Sequence, residues 1–299
     1  MKKRNMAILA GGVLLLVALI ILWIVFGGTS KVVLCLQNSQ GPLRQELESV
    51  LSQSDYAVAV ARSTDQASQL EAVAKAAKGK CAALVVELYM SEAATEVVSI
   101  AQAADVPVIF VGKAPDGAVL SSWEKAFYVG TDAAAYGNAM AELAQKGDVN
   151  GDGVVSYAVV AGPEDSDETK LQLQGCSETL GEGGELLCVE HTRFEEEEGE
   201  QKTASVLARY GKDVEVLFCG SDSLAAGALS AIKAAGRTVG ENLYVIAAGE
   251  EEMEGLSGAV LPDFKTISEK TAVLLSELTA NAVTETAYRV QPRRITASK

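Results

Sequence analysis

A single histidine in 299 residues removes most of the chemistry that imidazoles support. A metal centre built on several histidines is excluded, and His191 falls at the end of a predicted strand, where a hydrogen-bonded structural ring is its ordinary role. No GxSxG, HExxH or phosphate-cradling glycine loop occurs, so an enzyme is not expected. The five cysteines form no CxxC pair and are too few and irregular for a disulfide framework. Cys35, Cys81 and Cys219 lie in or beside apolar strand patterns and read as buried thiols, whereas a bridge between Cys176 and Cys188 stays open. A lipid anchor is excluded, because the first cysteine follows Lys31-Val32-Val33-Leu34 rather than a small residue closing an apolar run. Positive charge is also short: 25 basic against 40 acidic residues give a net charge of −15. Such a surface repels phosphate backbones, so nucleic acid is not an expected partner. Low-complexity linkers and short repeats are absent.

The N-terminus has a different composition. Lys2, Lys3 and Arg4 precede an uncharged stretch from Asn5 to Ser30 that is solidly apolar from Leu14 to Phe26. An apolar run near ~20 residues exceeds the ~7–15 of a signal-peptide core, so residues 1–30 read as one transmembrane helix with its basic end cytoplasmic. Gly28 and Ser30 keep a cleaved signal peptide as the alternative. Either way the remaining chain is extracytoplasmic, and it is long enough for one large or two medium domains.

From Lys31 onward, short apolar runs alternate with amphipathic stretches, as in parallel sheets covered by crossover helices. Strands are predicted at Val32–Leu36, Tyr56–Ala61, Ala82–Glu87 and Val108–Val111, with helices at Leu43–Ser54, Asp65–Lys78 and Ser91–Ala104. Ser63 and Gln66 suggest a capping box for the second helix, which Gly79 ends. The rhythm breaks between Gly112 and Asp132. It resumes with a helix at Ala134–Lys146 and strands at Val154–Val160, Leu186–Glu190, Val214–Phe218 and Tyr244–Ala248. The acidic run Glu195–Glu198 suits the start of a helix ending near Tyr210, and further helices are predicted at Ser223–Ala235 and Lys265–Val283.

One loop carries specific chemistry. Asp148-Val149-Asn150-Gly151-Asp152-Gly153-Val154-Val155-Ser156 puts oxygen side chains at positions 1, 3, 5 and 9 around a glycine at position 6, with the carbonyl of Val154 at position 7. That is the spacing a calcium loop uses. Position 12, which should hold a bidentate glutamate, is Val159. A plain turn is the alternative, since Asn-Gly and Asp-Gly are common turn dipeptides.

Val106-Pro107-Val108-Ile109-Phe110, then Lys125-Ala126-Phe127-Tyr128-Val129-Gly130-Thr131-Asp132, then the Asp148 loop, form an ordered series that resembles the galactose/glucose-binding type I periplasmic binding proteins. Glu215-Val216-Leu217-Phe218 before Ser221-Asp222, and Leu256 through Asp263, continue the likeness. The resemblance implies an α/β fold of two doubly wound parallel-sheet lobes joined by three crossing segments, near Gly130–Asp132, Pro262–Asp263 and Thr284–Tyr288. The lobes would be residues 31–129 plus 263–285, and 130–262 plus 286–299. It also implies that Glu215 completes a structural Ca2+ site with Asp148, Asn150, Asp152, Val154 and Ser156. The sugar places correspond to Ser39 or Gln40, Glu87, Ser166, Asp167, Lys170 or Leu171, Phe194, Ser221, Gly249 and Pro262. Of these, Gln40, Glu87, Ser166, Asp167, Phe194 and Ser221 are the candidate ligand residues. Gly249 and Pro262 offer no side-chain hydrogen bond, so galactose or glucose is not carried over.

The function implied is a membrane-tethered, extracytoplasmic receptor with a monomeric soluble part, which hands a small polar solute, such as a sugar, to an ABC permease. A sensory or protein-docking module that has lost sugar binding is the alternative.

Overall fold

The computed structural model describes residues 30–296, so the expected membrane segment lies outside the described residues; among those described, no helix is long and apolar enough to cross a membrane. Two six-stranded sheets organise the chain. The first contains β1 (Ser30–Cys35), β2 (Tyr56–Val60), β3 (Ala83–Val86), β4 (Val108–Val111), β5 (Ala126–Gly130) and β11 (Ala287–Arg289), in the order β11-β5-β4-β3-β1-β2. The second contains β6 (Val155–Ala161), β7 (Gly184–His191), β8 (Val216–Cys219), β9 (Tyr244–Ala248), β10 (Gly258–Leu261) and β12 (Arg293–Thr296), in the order β12-β10-β9-β8-β6-β7. Every pairing in both sheets is parallel except that of β10 with β12.

Both faces of each sheet are covered, which explains why the strands read as unbroken apolar runs rather than alternating ones. In the first lobe, Val33, Cys35 and Phe110 point to one core with α2 (Gln66–Lys78) and α3 (Ala94–Ala104), while Val32, Leu34 and Ile109 point to the other with α1 (Pro42–Leu51) and α9 (Phe264–Ala280). In the second lobe, α7 (Glu196–Tyr210) and α8 (Asp222–Ala234) cover one face, and α5 (Ala133–Ala144) and α6 (Asp167–Leu180) the other. The helix pairs of the second lobe meet backbone to backbone. A Cβ on Gly137 would run into the Gln172 carbonyl and one on Gly175 into that of Ala134; Gly199 and Gly227 stand in the same relation to Leu224 and Glu196.

Several details differ from the sequence expectation. The interval from Gly112 to Asp132 holds a short helix, α4 (Gly117–Ser121), and the buried strand β5. The cap of α2 is Asp65 rather than Ser63: the Asp65 carboxylate accepts from the Ser68 amide at 2.7 Å, and the Ser68 hydroxyl faces the Asp65 amide at 3.2 Å. Aspartate is the stronger acceptor and lies one turn before Ser68, whereas the Ser63 hydroxyl finds no partner. Thr286 to Arg289 side with the first lobe, because β11 pairs with β5, so the last crossing falls between Arg289 and Arg293 rather than at Thr284–Tyr288. Cys176 and Cys188 are both free; the Cys176 thiol instead donates to the Gly137 carbonyl across the α5–α6 contact.

Candidate functional site

In each sheet the strand order reverses beside the first strand, between β1 and β3 in one lobe and β6 and β8 in the other. At such a switch point, neighbouring connections leave for opposite faces and open a crevice at the carboxyl ends of the strands. The first two crossings leave from carboxyl ends, after Gly130 of β5 and Leu261 of β10. Val290 donates to the Gly130 carbonyl, and Arg289 pairs with Asp132, so the first and last crossings are tied together. The Tyr128 hydroxyl adds bonds to the carbonyls of Gly112 at 3.0 Å and Thr131 at 3.1 Å.

Glu87 occupies the first lobe's switch point. It is 8% exposed and accepts from the Asn38 amide at 3.3 Å. Below it, the buried Gln69 side chain donates to the carbonyls of Cys35 and Glu87 and clamps the ends of β1 and β3 together. Burial, and then the charge of Glu250 from the other lobe, raise the Glu87 carboxyl from 4.5 to about 7, against backbone hydrogen bonds that lower it. Nearby, Lys113 donates to the Tyr89 carbonyl at 2.9 Å.

The second lobe's switch point is walled by Phe194, whose ring lies against Gly162 and leaves no room there for a Cβ. Phe194 has φ 68°, a left-handed conformation costly for an aromatic residue. Bonds from Thr192 to the Ala161 carbonyl and from the Phe194 amide to the Thr192 hydroxyl hold it. His191 Nδ1 lies 2.9 Å from the Gly162 carbonyl, in the structural role expected of it. Ser166 and Ser221 cap α6 and α8, accepting from Thr169 and Leu224. Asp222, beside Ser221, accepts from the Glu250 amide at 2.8 Å, and desolvation raises its carboxyl. Desolvation and then Asp222 raise that of Glu250.

Of the expected ligand residues, then, Glu87, Phe194 and Ser221 stand at the switch points. Ser166 is on the rim, its hydroxyl oxygen already engaged as a cap. Asp167 is exposed and pairs with Lys170, and Gln40 is exposed in the turn before α1. Lys113, Asp222 and Glu250 were missed. Each follows a strand end within three residues, the signal that would have found them.

The Asp148 loop is a separate device. Gly151 and Gly153 have φ 76° and 90°, which explains the glycines. Asp148 accepts from the amides of Gly151 and Gly153, Asn150 from that of Asp152, and Asp152 from that of Val154. Glu215, 2% exposed, does reach the loop: one oxygen accepts from Val149 and Asn150 at 3.0 and 2.9 Å, the other from Ser156 at 3.0 Å. Among the described residues no three His, Cys, Asp or Glu side chains gather closely enough to cage a metal by themselves. In kind, the donors fit a hard cation: carboxylate, amide, hydroxyl and carbonyl oxygens, each able to accept more than one bond.

Two doubly wound lobes, crossed three times and lined with polar groups at the strands' carboxyl ends, define a two-lobed ligand-binding protein. The profile of the periplasmic binding protein domain matches residues 38–280, and the chain belongs to that family. A curated relative, the D-galactose/methyl-galactoside binding periplasmic protein of Haemophilus influenzae, is 28% identical over 200 residues, covering 60% of this chain and 59% of the relative. Among solved structures, an arabinose-binding protein of Geobacillus stearothermophilus superposes with a TM-score of 0.77 at 14% identity, covering 90% of this chain and 97% of that one. A periplasmic ribose ABC transporter protein of Conexibacter woesei gives 0.74 at 19% identity over 90% and 92%. An ABC transporter solute-binding protein of Actinobacillus succinogenes with bound D-allose gives 0.72 at 16% over 89% and 97%.

The raised carboxyl of Glu87 ties stability to pH. The folded state holds this proton more tightly than the unfolded chain, so the stabilisation is complete below pH 4.5 and is lost as pH rises through about 7. The difference is on the order of 3 kcal/mol. Thermal melts of wild type and Glu87→Gln should therefore converge near pH 5 and separate by pH 8, with the variant more stable. Parallel curves across that range would show that Glu87 ionises normally.

Proposed function

We propose that this protein is the membrane-tethered, extracytoplasmic receptor of an ABC importer for a sugar or related polyhydroxylated solute, and is not an enzyme. The observation that carries the reading is the pair of switch-point crevices, joined by three crossings and set with Glu87, Lys113, Phe194, Asp222 and Glu250. A solute touching both lobes would bind the closed form better than the open one and shift the population toward it. Glu87, Lys113 and Asp222 would exchange hydrogen bonds with hydroxyls, and Phe194 offers a flat apolar surface to a sugar face. The curated relative and the solved neighbours support a sugar as the class of solute.

Calcium belongs to the same proposal as a structural element. Asp148, Asn150, Asp152, Ser156, the Val154 carbonyl and Glu215 would hold it, and it would supply charge that binds the loop to the base of β8. The amide bonds to Glu215 already shape the loop, so the metal's contribution is modest. The apolar segment before Ser30 would tether the receptor at the amino-end pole of the first lobe, opposite the cleft.

Three measurements test these points. Isothermal titration of the detergent-purified full chain against hexoses, pentoses, inositols and amino derivatives should find at least one micromolar solute, and small-angle scattering should show compaction with it. Silence across the panel would refute the receptor reading. Removal of calcium with a chelator should lower the melting temperature by a few degrees, matching about 1.4 kcal/mol at tenfold excess over Kd, and Glu215→Ala should abolish the response; melting indifferent to calcium would leave the loop metal-free. Finally, the expressed full chain should sediment with membranes and resist carbonate extraction, whereas release into the soluble fraction with a shortened N-terminus would identify a cleaved signal.

A further inference from the structure

The amino-end pole of the first lobe differs from the rest of this acidic chain. Every pairing in that sheet is parallel, so the amino ends of its strands form one surface, away from the crevice. Lys31 stands near the start of β1, and Lys78 and Lys80 lie where α2 ends and turns into β3, the strand beside it. The Ala82 amide donates to the Lys31 carbonyl at 2.7 Å and ties that turn to the start of β1. All three lysines are exposed, and among the described residues none has a carboxylate within ion-pair distance. The carboxylates of the pole lie elsewhere on it. Asp55 precedes β2, Asp105 before β4 is bonded to Lys125 at 2.6 Å, and Glu124 and Glu285 precede β5 and β11. Lys80 also has φ 53°, a left-handed backbone that glycine or asparagine adopts at less cost, so the turn itself gives no reason for a lysine there.

The chain before β1 sets the distance to a membrane. Gly27, Gly28 and Thr29 alone separate Phe26, where the apolar run ends, from Ser30, where β1 begins. Fully extended, that link reaches about 14 Å. With the apolar run in a bilayer, the pole either rests on the headgroups or stands off by less than about two Debye lengths. A net charge of −15 pushes the body off an anionic surface. The three lysines are placed to pull it on, each by about fivefold in population at such a surface.

Resting on the tether of the receptor reading above, we propose that this pole is a docking surface for an anionic phospholipid bilayer, with Lys31, Lys78 and Lys80 set against lipid phosphates. Docking fixes the first lobe to the membrane and turns its crevice away from the headgroups, so closure moves the second lobe over a stationary first one.

The test is reconstitution of the full chain into nanodiscs of phosphatidylcholine, with and without phosphatidylglycerol, followed by lysine acylation with an uncharged reagent and mass spectrometry. Lys31, Lys78 and Lys80 should label about fivefold or more slowly in the anionic discs, while the exposed Lys212 and Lys233 of the second lobe label alike in both. Salt at about 1 M, which shortens the Debye length to ~3 Å, should remove the difference. Lys78→Gln with Lys80→Gln should return Lys31 towards its rate in neutral discs, and Lys78→Arg with Lys80→Arg should keep it slow. Equal labelling in the two kinds of disc overturns the inference and leaves the tether standing. Slow labelling of Lys31 that ignores the glutamine pair assigns the effect to the lower pH at an anionic surface and also overturns it. A chain that co-elutes with neither disc overturns the tether and the inference together.

Discussion

Parallel pairing is the constraint on which the rest of the molecule depends. Strands that run one way bring their carboxyl ends to one edge, and each sheet here does so, the antiparallel β12 excepted, around a first strand flanked on both sides, β1 between β2 and β3, β6 between β7 and β8. Because the chain leaves the first lobe from the carboxyl end of β5 and the second from that of β10, the two crevices share one opening. Covering helices bury both faces of each sheet, which leaves those edges as the place where polar and charged side chains collect. Glu87 and Asp222 are therefore products of topology as much as of local sequence.

The apolar runs were the legible part of this arrangement. β4 and β9 coincide with the predicted Val108–Val111 and Tyr244–Ala248, and α2, α5 and α8 fall within two residues of their expected ends. β5 was hidden because only five residues separate the turn at Trp123–Lys125 from the crossing, too few for a helix-strand rhythm to register. β11 spans three residues and is fixed by its pairing with β5, a contact no local pattern encodes. The cap at Asp65 was misassigned to Ser63 because two oxygen-bearing side chains compete within one turn, and only the geometry of the Ser68 amide decides between them.

The functional residues divided along a similar line. Phe194 and Glu87 were named by likeness to a family pattern and fall at the two switch points. Lys113, Asp222 and Glu250 are ordinary charges in the sequence; only the order of the strands brings each to a carboxyl end beside a crevice, which is a tertiary quantity. Glu215 was an expectation of long range, as a ligand of the Asp148 loop's cation. It lies 59 residues beyond Ser156 in the chain, and its carboxylate nevertheless accepts three amides of the Asp148 loop. Those bonds organise the loop through the main chain, so its shape depends on Glu215 whether or not a cation shares the oxygens.

The glycine contacts of the second lobe have a mechanical consequence. Gly137 against α6, Gly175 against α5, and Gly199 and Gly227 between α7 and α8 bring helix backbones together with no side chain between them to rearrange. The long helices over the first sheet, α1, α2, α3 and α9, contain no glycine at all and meet through side chains. The two halves are therefore unequal in compliance: one is an anvil, the other a cushioned jaw. Sequence drift can retune the side-chain packing of the first lobe by small steps, while in the second the same drift meets hard stops.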